Sequence, residues 1–335
     1  MSKKVVYNIE YEFTVDSFNQ KLTDAEKLKV EWAWKKEGGT IQYFPTKGKI
    51  GSDGKVTKSV TFNKNLVGHR VYIMPFLKKP DPKISIVVEV VEPIFLYLLY
   101  YVSGYHHGDS LMAEAAQSRL QNIKESDWYD EKKHKVHAIP IQDLAEIITI
   151  TKQYIDKYGG KEIVFCKESG IFCHSGGDGP IGSVPSTVEH LVPIKYNQMK
   201  ISGWAKIEFN WWMKEVMFVV YGCNSANPTW ASNFALNLAK SSNFLDSEVW
   251  GQSTSSFPSF YPDIRITSMA RNMGIGWFAG KTYMVGGNEG EGWKSTSGGG
   301  DLSKFPKANP MNCYKNGTHI RAIHQGYFND HRKNE

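Results

Sequence analysis

Residues 214–223 read KEVMFVVYGC. Two charges open the stretch, six apolar side chains fill it, and it closes on a Gly-Cys pair. A near-continuous apolar run of this length is the mark of a strand buried on both faces of a parallel sheet. The segments on either side fit that sheet. KEIVFCKESGIFCH (161–174) predicts one or two strands, and AKIEFNW (205–211) and SEVWGQSTS (247–255) predict two more. IQDLAEIITITKQYIDKYGG (141–160) carries Leu144, Ile147, Ile148, Tyr154, Ile155 and Tyr158 on one helical stripe and stops at a Gly pair. NPTWASNFALNLAKSSN (227–243) predicts another helix, with Trp230, Phe234, Leu238, Ala231 and Ala235 on its apolar side. Alternating buried strands and helices imply a layered α/β domain, whose ligands sit at the C-terminal ends of the strands.

The first ninety residues follow a different rule. VVYNIEYEF (5–13) alternates apolar and polar positions, and KLKVEWAWK (27–35) repeats the pattern with Leu28, Val30, Trp32 and Trp34 inward. KVTKSVTF (55–62), HRVYIMPFL (69–77) and KISIVVEVV (83–91) extend this period of two, with turns at GSDG and KKPDP between them. Short strands at this spacing predict an antiparallel sandwich. The Trp-bearing segment and the later HRVYIMPFL strand resemble an immunoglobulin-like module without its disulfide.

PIFLYLLYYVSGY (93–105) is shorter than the ~20 residues of a membrane span and is read as a buried helix. SLMAEAAQSRLQNI (110–123) has helical spacing, and KESDWYDEKKHK (124–135) reads as an exposed linker. The fold class expected is therefore multidomain α+β. An antiparallel β-sandwich occupies 1–92, a helical connector 93–135, and an α/β domain with a mainly parallel sheet 136–335.

Composition narrows the function. The net charge is +6, but Lys and Arg are interleaved with acidic residues, so no concentrated basic face for nucleic acid is expected. The N-terminus enters a strand pattern at once and shows no secretory apolar core. That predicts synthesis in the cytoplasm, with any export independent of a signal peptide. The four cysteines, Cys166, Cys173, Cys223 and Cys313, include no CxxC pair, which removes the common zinc and thiol-redox patterns. His106, His107, His319, His324 and His331 lack a ligand spacing and read as surface residues, so neither a metal nor another cofactor is expected. Asn316 heads an NGT sequon.

Two strand ends carry chemistry. One ends at His174 and continues HSGGDGPIG; the other ends at Cys223 and continues NSANP. In one parallel sheet they share an edge. An imidazole beside a thiol can hold the thiolate or take its proton. Gly176, Gly177 and Gly179 let backbone N–H groups turn toward a substrate as an oxyanion hole. The turn after Cys223 leads toward the expected helix, whose N-terminal dipole would favour a thiolate. Cys166 and Cys173 read as buried packing residues, and His190 is an alternative base.

A strand ending in His with small residues, followed 49 residues later by a strand ending in GC, resembles the caspase-like cysteine peptidase fold of clan CD. Gingipain, separase and CHAT-type bacterial peptidases share it. The resemblance covers about residues 136 to 260. It implies His174 as general base and acid, Cys223 as nucleophile, and a polypeptide substrate. Ser175 stands where that family has Gly, which passes the oxyanion role to Gly176, and the caspase QAC-G pentapeptide is absent. A charged pocket in such enzymes selects the residue before the cleaved bond; Asp178, Asp263 and Glu289 are the loop residues placed to line one. The organisation also resembles exported bacterial effectors and toxins, for which secretion machinery or a cognate inhibitor would be partners. Two other readings stay open. A cysteine amidase acting on cell-wall peptide would set its Cys at a helix start on an antiparallel sheet. A non-enzymatic binding module would use the sandwich and the Trp-rich loops.

Overall fold

The computed structural model describes residues 2–18, 21–105, 109–185, 197–265, 279–287 and 305–329. The chain forms two compact units. The first is Met1–Pro93 with Gly159–Ile163, and the second is Ile94–Tyr158 with Val164–Glu335.

Among its described residues the first unit has eight strands: β1 Lys3–Val6, β2 Glu10–Val15, β3 Glu31–Lys36, β4 Gln42–Tyr43, β5 Lys49–Ile50, β6 Val56–Thr61, β7 Arg70–Phe76 and β8 Ile86–Val91. One sheet has the order β1-β8-β7-β3-β4 and the other β2-β6-β5. All pairings are antiparallel except β1 with β8. Val5, Phe13, Trp32, Val60, Phe62, Ile73 and Val88 are among the side chains that fill the core. VVYNIEYEF, expected as one strand, is two. Asn8 takes φ +61° and donates its N–H to the Phe62 carbonyl, so the chain passes from the first sheet to the second there. Asn tolerates that left-handed geometry, and the alternation resumes beyond it, which hid the break. Before β3, Asp24–Lys27 (α1) forms a single helical turn, and the strand expected from Lys27 begins only at Glu31. A capping box holds the turn: Glu26 N–H donates to Thr23 Oγ1, and Thr23 N–H donates to Glu26 Oε2.

The second unit is built on a seven-stranded sheet of β9 Ile94–Val102, β10 His134–Ile141, β11 Val164–Phe172, β14 Met217–Val220, β15 Glu248–Gln252, β18 Met311–Lys315 and β19 Thr318–Ile323. Its order is β10-β9-β11-β14-β15-β18-β19. The first five strands run parallel and the last two antiparallel. Two small hairpins pair β12 His174–Gly176 with β13 Gly179–Ile181, and β16 Ser256–Ser259 with β17 Tyr283–Gly286. The quoted KEVMFVVYGC run supplies β14, the central strand.

The apolar run from Pro93 is not a helix. Residues 94–102 are β9, paired on both sides over most of its length. Tyr97 and Leu99 pack in the cluster that holds Met112, Ala115 and Ala116 of α2 (Asp109–Lys124). Tyr100, on the opposite face, shares a 2.8 Å hydrogen bond with Thr151 of α3 (Leu144–Lys157). A strand covered by helices on both faces has no polar face to reveal its period of two, so its sequence matches a buried helix equally well. Residues 94–135, expected as a connector, thus supply a sheet strand, α2 and the start of β10 to this unit.

Two other expectations fail locally. AKIEFNW forms no strand: Trp212 N–H donates to the Cys166 carbonyl and Cys166 N–H to the Asn210 carbonyl, an isolated bridge just before the bulge in β11. The position beside β11 beyond that bulge belongs to β14. The helix over 227–243 shrinks to Phe234–Leu238 (α4), because Asn233 caps it, accepting from Leu236 N–H at 2.9 Å. Among the described residues, no helix is long and apolar enough to cross a membrane.

Candidate active site

β11 and β14 lie side by side and parallel, with Ile171 opposite Val220. The Tyr221 N–H continues the ladder by donating to the Ile171 carbonyl at 2.9 Å. Both strands therefore end at one sheet edge, and three residues beyond the last matched pair stand His174 and Cys223.

Close packing joins the two segments there. A Cβ on Gly222 would lie 2.4 Å from the Ser175 Cβ and 2.9 Å from the Cys173 carbonyl oxygen, so only Gly fits before Cys223. Cys173 and Ser175 flank His174. The hairpin β12–β13 then folds onto the chain that follows Cys223. A Cβ on Gly177 would lie 1.9 Å from the Trp230 ring, and one on Gly179, at φ +115°, 2.3 Å from Phe234. His174 is exposed, with the Tyr105 ring packed edge-on at 4.8 Å between centroids. Asp178 is exposed at the turn of the same hairpin.

Cys223 is half-buried, and its Sγ accepts the Ser256 N–H at 3.1 Å. The loop around it is pinned to the end of β15. Asn224, at φ +53°, donates its N–H to the Thr254 carbonyl, and Ala226 N–H donates to the Gln252 carbonyl. Ser225 Oγ donates to the Gly222 carbonyl at 3.0 Å and accepts the Gln252 N–H at 3.1 Å. No helix follows directly: α4 starts only at Phe234, too far along the chain for its dipole to act on Cys223. Burial pushes the Cys223 thiol above its ordinary value, while backbone N–H groups, Ser256 first, and the positive Arg265 pull it down. Arg265 is fully buried, its guanidinium 3.6 Å above the ring of Phe257, the neighbour of Ser256. At neutral pH the thiol is protonated and needs a base.

A measurable consequence follows from that balance. Alkylation of Cys223 by iodoacetamide, followed by mass spectrometry, is expected to keep climbing with pH past the ordinary thiol value of 9.0. Arg265→Gln removes the charge that favours the thiolate and should slow labelling at every pH below that range. A rate already level at pH 7 would contradict the assignment.

The remaining candidates are elsewhere or otherwise engaged. Cys166 and Cys173 are buried, and burial pushes both thiols up. Asp263 accepts the Gly326 N–H at 2.7 Å and lies 2.6 Å from His324 Nδ1, so it anchors the C-terminal segment. His319 hydrogen-bonds Asn312 at 3.1 Å. Among the described residues, no three His, Cys, Asp or Glu side chains cluster as metal ligands would. His106, His107, His190, His331 and Glu289 lie outside the described residues. Ser256, Arg265 and Tyr105 were missed from the sequence. None stands in a motif, and only the fold brings them to the strand ends.

No family model and no curated protein matches the chain. Among solved structures, it is similar to a secreted C11 cysteine protease from Bacteroides thetaiotaomicron, solved with an irreversible peptide inhibitor, at 9% identity and a TM-score of 0.37. The match covers 66% of this chain and 66% of that one, so the chain spans just under two thirds of that protease. It is also similar to a sialyltransferase from Photobacterium damsela, at 11% identity and a TM-score of 0.16, over 52% of this chain and 36% of that one. Neither likeness is close enough to carry chemistry from those proteins to this one.

Proposed function

We propose that this chain is a cysteine peptidase with a His174–Cys223 dyad. One observation supports it above the others: the residue before Cys223 packs its backbone against both neighbours of His174, at the C-terminal edge of two adjacent parallel strands. A pair of buried strand ends with no function needs neither an exposed imidazole nor a thiol that stays partly open.

His174 takes the Cys223 thiol proton as sulfur attacks the scissile carbonyl carbon. The charge that develops on the carbonyl oxygen is met by the backbone N–H of Gly177 at the turn, since Gly176 pairs with Gly179 across the hairpin. The imidazolium returns the proton to the leaving amine, the C–N bond breaks, and a thioester remains. His174 then deprotonates a water that releases the acyl group as a carboxylate and frees the thiol. The raised Cys223 pKa favours this general-base route over a resting thiolate–imidazolium pair. The cell-wall amidase alternative places its Cys at a helix start on an antiparallel sheet, and Cys223 has neither setting.

Peptidyl chloromethyl ketones test the dyad directly. The expected adduct is a single one on Cys223, lost in His174→Ala. Equal labelling of Cys166, Cys173, Cys223 and Cys313 would sink the dyad.

A further inference from the structure

The first unit holds a cavity of about 370 Å³ between its two sheets. That is the size at which pockets begin to enclose a ligand group, at roughly 300 Å³ and above. It exists because β5 pairs with only Val56 and Thr57 of β6, so the second sheet ends short on that side. Val60, Phe62, Leu66, Val71 and Ile73 form its apolar floor, and Trp34 and Phe44 its walls. Gln42, Asn63 and Asn65 stand exposed at its mouth, and none of the described residues that line it is charged. The occupant this chemistry fits is neutral, with an apolar body and amide-like polar edges.

The strand at its lip narrows the choice. Among the described residues, β4 is the outer strand of its sheet and pairs only with β3. Gln42 pairs with Trp34, and Phe44 N–H donates to the Trp32 carbonyl at 3.0 Å, so the ladder to β3 uses residues 42 and 44. In antiparallel pairing, the N–H and C=O of the residue between them point the other way. Tyr43 therefore offers its backbone outward, and Tyr43 and Ile41 are 62% and 37% exposed. A free strand edge beside an apolar pocket is the recognition surface for an added strand, with backbone bonds giving affinity and alternate side chains giving selectivity.

We propose that an extended polypeptide segment adds to the β4 edge and seats one large apolar side chain in this cavity. Gln42, Asn63 and Asn65 bond its flanking peptide groups. This docking site belongs to the first unit and does not depend on the dyad.

The test uses the full chain carrying Cys223→Ala, so that no peptide is cleaved, and ten-residue peptides identical except for a central Phe, Leu, Ser or Glu. Affinity is read by fluorescence anisotropy and contact by hydrogen exchange. The Phe and Leu peptides are expected to bind at least tenfold more tightly than Ser and Glu, and to protect the Tyr43 amide. Tyr43→Pro removes the outward donor while leaving the β3 ladder intact, and should weaken binding at least tenfold at an unchanged melting temperature. Asn65→Ala, at an exposed position, should weaken it at least threefold and serves where Tyr43→Pro does not fold. No saturable binding of the Phe peptide, or binding indifferent to both variants, overturns the proposal. So does a neutral oligosaccharide that protects residues 60–66 when no peptide does.

Discussion

Cys223→Ala is expected to remove peptide hydrolysis to the limit of detection, and His174→Ala to lower kcat by about 10²–10⁴-fold. The first removes the only atom able to form the thioester. The second removes the group that deprotonates the thiol and protonates the leaving amine, and burial then holds the thiol in its protonated form. Stability should hardly move in either. The Cys223 sulfur makes two weak bonds to the Ser256 backbone, accepting its N–H at 3.1 Å and donating to its carbonyl at 3.5 Å, and His174 is exposed, so each change should cost about 1 kcal/mol or less. Cys173→Ala supplies the contrast. That thiol is fully buried against Gly222, so its loss should lower the melting temperature while most of kcat survives. The readouts are a fluorogenic peptide assay and thermal unfolding on the same preparations. Hydrolysis that persists in Cys223→Ala would end the assignment of Cys223 as the nucleophile whatever the other variants do.

What could be read in advance depended on whether a segment has one wet face or none. β6, β7 and β8 face a core on one side, and their alternation marked them; β3 was marked only from Glu31 on, since Leu28, expected inward, is 58% exposed and Ala33 is buried. α3 is solvated along one side, and its stripe and terminal Gly pair gave its length. β14 was legible for a different reason: its bounding charges and its Gly-Cys end leave room for only a short element. β9 has the same apolar character but nine residues and no charge within it, a length that suits a helix as well as a strand. The site was half legible. His174 and Cys223 announce themselves through the small residues that follow each. Asp263 looked like a free loop carboxylate because the His324 that engages it lies sixty-one positions later. Ser256 acts through its backbone N–H, which any residue type supplies, so no sequence pattern could mark it.

The largest stability effect is expected far from the dyad, at Arg119 and Glu168. Arg119 projects from α2 and donates Nε and Nη2 to the two carboxylate oxygens of Glu168 at 2.9 and 2.8 Å, and its Nη1 to the Phe328 carbonyl. Both side chains are almost wholly buried, 4% and 3% exposed. A pair removed from water this completely gains little over apolar residues of the same volume, yet breaking it strands one charge. Glu168→Gln and Arg119→Met are therefore each expected to cost about 3–5 kcal/mol, a large share of the ~5–15 kcal/mol that holds a domain folded. The double variant Arg119→Met, Glu168→Leu should regain most of that loss, because no charge is then left unpaired. The position links stability to the site. Glu168 sits at the bulge of β11, whose last residue is two before His174, and Arg119 ties that strand to the helix covering it. Loss of activity in the single variants should consequently track the unfolded fraction, with the rate per folded molecule kept. Urea unfolding of the four proteins decides it: single variants within about 1 kcal/mol of the parent, or a double variant no better than its worse single, would show that the pair is not coupled as its geometry requires.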